Sequence, residues 1–198
     1  PGVKGNAIML DTPEQAERFN RRLLNACVRA YAQPGPVRPG QLHVSIIGAG
    51  ATGTELSAEL HHAARGLVEF GLDKIDPEKD FKITLIEAAP RILPALPERL
   101  SIATTNILKS IGVEVRTGSP VTQVTAEGVT LANGDFIPSE LVVWAAGVKG
   151  PDVISKLDGL EVSRMNTLVV KPTLQTTVDD NIFVIGDAAY LVPEGQTA

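Results

Sequence analysis

Residues 43–55 read H-V-S-I-I-G-A-G-A-T-G-T-E, and this stretch constrains the chain more than any other. An apolar run from His43 to Ile47 stops at Gly48. Gly48, Gly50 and Gly53 then form G-x-G-x-x-G directly before a helix-forming segment. Strand, glycine turn and helix in that order are the context in which this spacing cradles a dinucleotide. The first glycine permits the tight turn, the second lets a pyrophosphate approach the backbone, and the third lets helix and strand pack closely. Free N–H groups at the helix start face the phosphates. The candidate cradle is Gly48, Ala49, Gly50, Ala51, Thr52 and Gly53.

Composition narrows the class. The 198 residues are 43% hydrophobic, enough for one or two domains with a real core. The net charge is −5 and no basic stripe is present, which argues against nucleic acid as a partner. Arg18, Arg21 and Arg22 read as the solvated face of a helix. The single cysteine, Cys27, excludes an internal disulfide, a redox cysteine pair and a multi-cysteine metal site. It reads as a small buried hydrophobe, in keeping with a reducing, cytoplasmic compartment. His61 and His62 are adjacent, so on a helix they point about 100° apart and cannot share a metal; no metal is expected. No apolar run reaches the roughly 18 residues of a membrane span. The opening P-G-V-K-G is loop-like, not a signal peptide, and the chain reads as the middle of something longer.

In order, residues 1–10 read as a loop running into a short apolar piece, Ala7 to Leu10. Asp11-Thr12-Pro13-Glu14-Gln15 starts a helix expected over about 13–32, with Ala16, Phe19, Leu23, Cys27, Ala30 and Tyr31 on its apolar face. Gln33 to Gly40 is a Pro/Gly linker, where a domain boundary is expected. The helix after the glycines runs from Ala51 to about Val68. A charged loop from Phe70 leads to a strand, Phe81 to Glu87. Ala88 to Pro97 is punctuated by prolines. A helix follows over Glu98 to Ile111, with Leu100, Ala103, Ile107, Leu108 and Ile111 on one side. Val113 to Arg116 is the third parallel strand. Val121 to Thr125, Val129 to Leu131 and Phe136-Ile137 form a β-meander in place of a crossover helix, with Asn133-Gly134 as a hairpin turn. Leu141 to Gly147 is another buried strand, ending in small residues that leave room for a ligand. Leu168 to Val170 and Asn181 to Asp187 complete the strands. The fold class is α/β, a Rossmann-like parallel sheet with a three-stranded meander crossover.

Glu87 is the second informative residue. An acid at the end of the second strand binds the adenosine ribose hydroxyls of NAD. It stands 34 residues after Gly53, beyond the usual roughly 20, and residues 66–80 read as the insertion that absorbs the excess. A carboxylate there, with Ala88 beside it, repels a 2′-phosphate and favours NADH over NADPH. Arg91 pulls the other way, because an arginine can receive that phosphate.

The stretches I-I-G-A-G-A-T-G-T-E-L-S-A-E-L, T-L-I-E-A-A-P-R-I-L-P-A-L-P, V-V-W-A-A-G and P-T-L-Q-T-T-V-D-D-N-I-F-V-I-G-D-A-A together resemble the two-dinucleotide-binding-domain flavoproteins. Within that group the chain is similar to the NADH-binding region of the type II NADH:quinone oxidoreductases. The resemblance covers nearly the whole chain. It implies an enzyme that passes a hydride from NADH to FAD and electrons on to a membrane quinone, without pumping protons. It implies NADH held by Gly48, Gly50, Gly53 and Glu87, with Ala146 and Gly147 at the nicotinamide half. Gly186 and Asp187 match the family's FAD motif. Glu55 matches a family acid beside nicotinamide and flavin, or is a carboxylate favoured by the positive helix end; both readings stay open.

The departures are equally specific. The family's first G-x-G-x-x-G, which holds FAD, is missing, and so is the segment beyond Gly186-Asp187 that faces quinone and membrane. A fragment is therefore expected: residues 1–40 and 166–198 as parts of the FAD domain, flanking an NADH domain over 41–165. The fragment is expected to bind NADH without FAD or turnover, and to dimerise through the 13–32 helix and the 181–185 strand. The full-length protein is expected as a peripheral protein on the cytoplasmic face of the cell membrane. The competing readings are a soluble ferredoxin- or rubredoxin-type reductase and a non-catalytic dinucleotide-binding module.

Overall fold

The structure is a computed structural model that describes residues 1–69, 71–147 and 149–192. It falls into two compact units, Pro1–Ala146 and Gly147–Ala198.

The first unit opens with a short helix, α1 (Val3–Asn6), and is built on a sheet of five strands: β1 (Ile8–Met9), β2 (His43–Ile47), β3 (Lys82–Ile86), β4 (Glu114–Arg116) and β8 (Leu141–Trp144). Their spatial order is β1-β8-β2-β3-β4, and every neighbouring pair is parallel. All five residues of β2 are buried, as a central strand covered on both faces requires. Alternation assigns its side chains to two cores. Val44 and Ile46 of β2, Ile83 and Leu85 of β3, and Leu141 and Val143 of β8 lie in one core. That core is completed by α2 (Pro13–Ala32), α3 (Ala51–Glu69) and α4 (Glu98–Ser110) through Phe19, Leu23, Cys27, Leu60 and Leu108. Ile47, Ile86 and Val142 belong to the other core, with Val124, Val129, Leu131 and Ile137. These come from β5 (Val121–Val124), β6 (Gly128–Leu131) and β7 (Phe136–Pro138), an antiparallel sheet in the order β5-β6-β7. The meander therefore covers the face that a crossover helix would have covered. Each aliphatic side chain buried in these layers contributes about 1.5–3 kcal/mol.

The start of α2 follows its sequence. Pro13 fills the first helical position. The Thr12 hydroxyl accepts the Gln15 amide, and the Gln15 side chain accepts the Thr12 amide, a reciprocal capping box. Cys27 is buried, and burial pushes its thiol up to about 11.

Several expectations are corrected. Residues 1–40, expected as part of an FAD domain set off by a linker, lie in the same compact unit as the sheet. β1 pairs with β8, Ile8 to Val143 and Met9 to Trp144, and α2 packs on the core of the same unit. A two-residue strand has no readable period; only its partner makes it a strand. The Pro/Gly stretch 33–40 is an internal loop. The Gly40 carbonyl accepts the amides of His43 and Glu140, and Gln41 Nε2 donates to Gln33 Oε1 at 3.0 Å. Of the expected apolar face of α2, Phe19, Leu23, Cys27 and Ala30 are buried in this core, while Ala16 is exposed, as are Leu24 and Val28 beside it. α4 is turned from its expected face: Ser101 and Leu108 are buried, Ile111 packs on the core, and Leu100, Ala103 and Ile107 are exposed. Phe70, expected to open the charged loop, lies outside the described residues.

The second unit begins at Gly147 and not near residue 166. The Gly150 amide donates to Met165 O at 2.7 Å, and Asn166 Nδ2 donates to the carbonyls of Gly150 and Pro151. Its two strands, β9 (Leu168–Val170) and β10 (Ala189–Leu191), pair in parallel over a small core of Ile154, Leu168, Val170 and Val184. The strand expected over 181–187 does not form. Phe183 makes one isolated bridge to Gln175, only Val184 of the run is buried, and Ile182, Phe183 and Ile185 are exposed. Without a ladder partner among the described residues, an apolar sequence alone does not make a strand. No helix among the described residues is long and apolar enough to cross a membrane.

Candidate functional site

The parallel sheet reverses its order at β2: the chain leaves it toward β3 and β4, and returns on its other side at β8. The carboxyl ends of β2 and β8 therefore bound a crevice at a topological switch point, where open α/β sheets bind ligands. Register sets the edge. Ile47 pairs with both Ile86 and Trp144, so Gly48, Glu87 and Ala145 follow side by side.

The three glycines do different work. Gly48 turns with φ +104°, and a Cβ there would lie 2.6 Å from Cα and N of Ala146. A Cβ on Gly53 would stand 1.9 Å from Gly48 O. Both are required by the protein itself. A Cβ on Gly50 would meet nothing within 4 Å. The space above Gly50 is open, so no packing within the chain calls for a glycine there. The open turn lies where α3 begins and its leading amides have no intrahelical acceptor, an arrangement able to take a phosphate pair.

The turn is held from two sides at Ala49. The Ala49 amide donates to Glu87 Oε2 at 2.8 Å, and the Ala49 carbonyl accepts the Leu93 amide at 2.7 Å. Glu87 is half-buried just beyond β3; its other oxygen, Oε1, accepts the Ala89 amide at 2.9 Å. A carboxylate oxygen can accept more than one hydrogen bond, so these contacts leave capacity for ribose hydroxyls. Ala88 is exposed beside it, and Ala51 and Thr52 are exposed at the start of α3. Ala146 is half-buried against Gly48, and its carbonyl accepts the Trp144 indole N–H at 2.8 Å. Glu55 is exposed on α3 and makes no side-chain hydrogen bond or ion pair among the described residues.

Arg91, read from the sequence as a possible phosphate receiver, has another occupation. Its guanidinium donates to the carbonyls of Leu93 at 3.2 Å, Leu96 at 2.8 Å and Pro94 at 2.8 Å. The loop it closes anchors Ile92, fully buried, in the core. Leu93 is held at φ +48°, a conformation that costs a non-glycine residue about 1–2 kcal/mol. Leu93 was not read from the sequence as part of the site, because its contribution is a backbone amide. The proline-spaced I-L-P-A-L-P was its one visible trace.

Of the other candidates, Gly147, Gly186 and Asp187 belong to the second unit. Gly147 has φ +80°. Gly186, at φ +66°, opens a 3-10 turn with Asp187, which is exposed. A second concavity of about 370 Å³ opens in the first unit at the amino edge of the sheet, lined by Arg38, His43, Lys79, Asp80, Lys82 and Glu114. It mixes both charge signs, and its one glycine, Gly40, belongs to no G-x-G-x-x-G, so the dinucleotide features stand at the opposite edge. Among the described residues, no group of three or more His, Cys, Asp or Glu side chains is placed to hold a metal.

Fold and site together define a dinucleotide-binding α/β protein. The family model of the pyridine nucleotide-disulphide oxidoreductases matches residues 1–198, and the chain belongs to that family. It is 44% identical to the type II NADH:quinone oxidoreductase of Haemophilus influenzae, over 96% of this chain and 46% of that protein. It is 32% identical to the external alternative NAD(P)H-ubiquinone oxidoreductase B1, mitochondrial, of Arabidopsis thaliana, over 96% of this chain and 34% of that protein. The chain spans about half the length of the curated bacterial relatives it matches. Among solved structures, NDH2 from Plasmodium falciparum in complex with NADH superimposes with a TM-score of 0.76 at 21% identity, over 96% of this chain and 41% of that one.

Proposed function

We propose that this chain is the NADH-binding region of a type II NADH:quinone oxidoreductase, a flavoprotein that oxidises NADH and reduces a membrane quinone without pumping protons. The observation that carries the reading is the Ala49 turn: clamped by Glu87, open above Gly50, and set at the switch point of the sheet. In that protein bound NADH supplies a hydride and FAD accepts it, so the chain's own task is placement. Gly48 to Gly53 hold the pyrophosphate on backbone amides. Glu87 accepts the adenosine ribose hydroxyls and disfavours a 2′-phosphate. Arg91, engaged with three carbonyls, is withdrawn as a phosphate receiver, which supports NADH as the preferred nucleotide.

Ala146 and Gly147 border the nicotinamide half, Gly186 and Asp187 serve the FAD of the full-length protein, and Glu55 is the acid beside the reacting rings. The chain by itself binds NADH and retains no FAD. Ile182, Phe183 and Ile185, exposed in the second unit, are covered in the full-length protein or by a second copy of the chain. The full-length protein works on the cytoplasmic membrane surface, where NADH and quinone meet. The test is oxidation of NADH and NADPH by the full-length protein with a quinone acceptor, with Glu87→Ala alongside. NADH-dependent quinone reduction that the variant weakens is the expected result. Absence of quinone reduction, with electrons passed to a ferredoxin or rubredoxin instead, overturns the reading.

A further inference from the structure

We propose that Arg91 is a positioning residue for the pyrophosphate: it sets the glycine turn through Leu93, without touching the nucleotide. The inference rests on the reading of the glycine turn as the NADH site. Arg91 gathers the carbonyls of Leu93, Pro94 and Leu96 on one guanidinium. A planar, five-donor group suits this task; an ammonium does not offer the same fixed fork. The carbonyls it gathers belong to a loop pinned on one side by the buried Ile92. Closure of the loop holds Leu93 at φ +48° and aims its amide at Ala49 O, 2.7 Å away.

The effect on the site follows from peptide geometry. In a trans peptide the carbonyl and the following N–H point in opposite directions. Fixing Ala49 O toward Leu93 therefore turns the Gly50 N–H the other way. Glu87 fixes the preceding peptide through the Ala49 N–H. Both peptide planes flanking Ala49 are then locked before ligand arrives, and the amides meant for the phosphates need no reordering on binding. Arg91 supplies the Leu93 half of this clamp.

The experiment uses Arg91→Met and Arg91→Lys in the full-length protein. Equilibrium titration calorimetry is run with NADH, NADPH and ADP-ribose, beside steady-state kinetics and thermal unfolding. Arg91→Met is expected to weaken NADH and ADP-ribose by the same factor, about tenfold, equal to about 1.4 kcal/mol. The NADPH to NADH affinity ratio stays as in the unaltered protein. KM for NADH rises while kcat at saturation holds, and Arg91→Lys recovers part of the loss. If NADPH alone weakens, Arg91 is a 2′-phosphate receiver and the proposal is overturned. It is equally overturned if folded Arg91→Met binds NADH as the unaltered protein does. Should Arg91→Met fail to fold, Arg91→Lys decides on the same two criteria. An unaltered protein that binds no NADH would instead sink the functional reading beneath it.

Discussion

The carboxylate of Glu87 accepts the backbone amide of Ala49 at 2.8 Å, tying the end of one strand to the glycine turn that follows its neighbour. One side chain thereby shapes the turn and, in the function proposed above, also offers acceptors to the ribose. Removing it disturbs both. Glu87→Ala is expected to raise the Kd for NADH about 10- to 100-fold, as a hydrogen bond to a charged group is worth about 1.5–3 kcal/mol. Glu87→Gln keeps an acceptor for Ala49 but removes the charge, and should narrow the preference for NADH over NADPH. Titration of both variants with both nucleotides checks this; unchanged NADH binding in Glu87→Ala would remove Glu87 from the site.

The three glycines should separate folding from binding. Gly53→Ala places a Cβ 1.9 Å from Gly48 O, and Gly48→Ala places one 2.6 Å from the Ala146 backbone. Both variants should unfold at lower temperature, by several degrees or more, because backbone cannot give way cheaply. Gly50→Ala meets no protein atom, so its Tm should hold while NADH affinity falls. Thermal unfolding beside nucleotide titration is the check, and a Gly50→Ala that binds NADH normally would deny the cradle its ligand.

At the other edge of the sheet, His43 Nε2 pairs with Thr84 Oγ1 at 2.7 Å, and Thr84 Oγ1 donates to Glu114 Oε2 at 3.1 Å. Burial holds His43 below its ordinary 6.5, against the opposing charge of Glu114. Glu114 stays below its ordinary 4.5 despite burial, because Arg116, Thr84 and His43 favour its charged form. With His43 depressed in the fold, the unfolded chain binds the extra proton first. Stability is therefore full above about pH 6.5 and falls as pH drops below it. The Glu114 contribution is present above about 4.5 and is lost as pH falls through its lowered folded value. His43→Gln should flatten the first part of the acid loss, read from urea midpoints between pH 5 and 7.5. An equally steep loss in that variant would assign it to other groups.

Cys27, fully buried on α2 with its thiol pushed up to about 11, should not react with iodoacetamide at neutral pH in the native protein. Mass spectrometry of the Cys27 peptide should find it unlabelled until denaturant is added. Labelling at the rate of a free thiol would contradict the packing of α2 on the sheet.

What could be read along the chain was what neighbours in sequence decide. The run His43–Ile47, the glycine spacing, the helix start at Asp11 to Gln15 and the Asn133-Gly134 hairpin are all local, and each appears as read. Glu87 was legible because a strand end and an acid coincide within a few residues. Tertiary structure decided the rest. Ile8-Met9 became a strand only because β8 has a free edge beside it, and that pairing drew residues 1–40 into the same unit. The apolar run 181–185 failed to become one for want of a ladder partner among the described residues. On α4, periodicity indicated an amphipathic helix, yet the sheet took Ser101 and Leu108 and left Leu100 and Ile107 outside. A helix can offer more than one plausible stripe, and only the shape of the opposing surface selects among them. Arg91 is the sharpest instance. Its charge was legible, but its role depends on three carbonyls and an amide aimed at Ala49, and backbone direction in a folded loop is not written in the identity of the side chains.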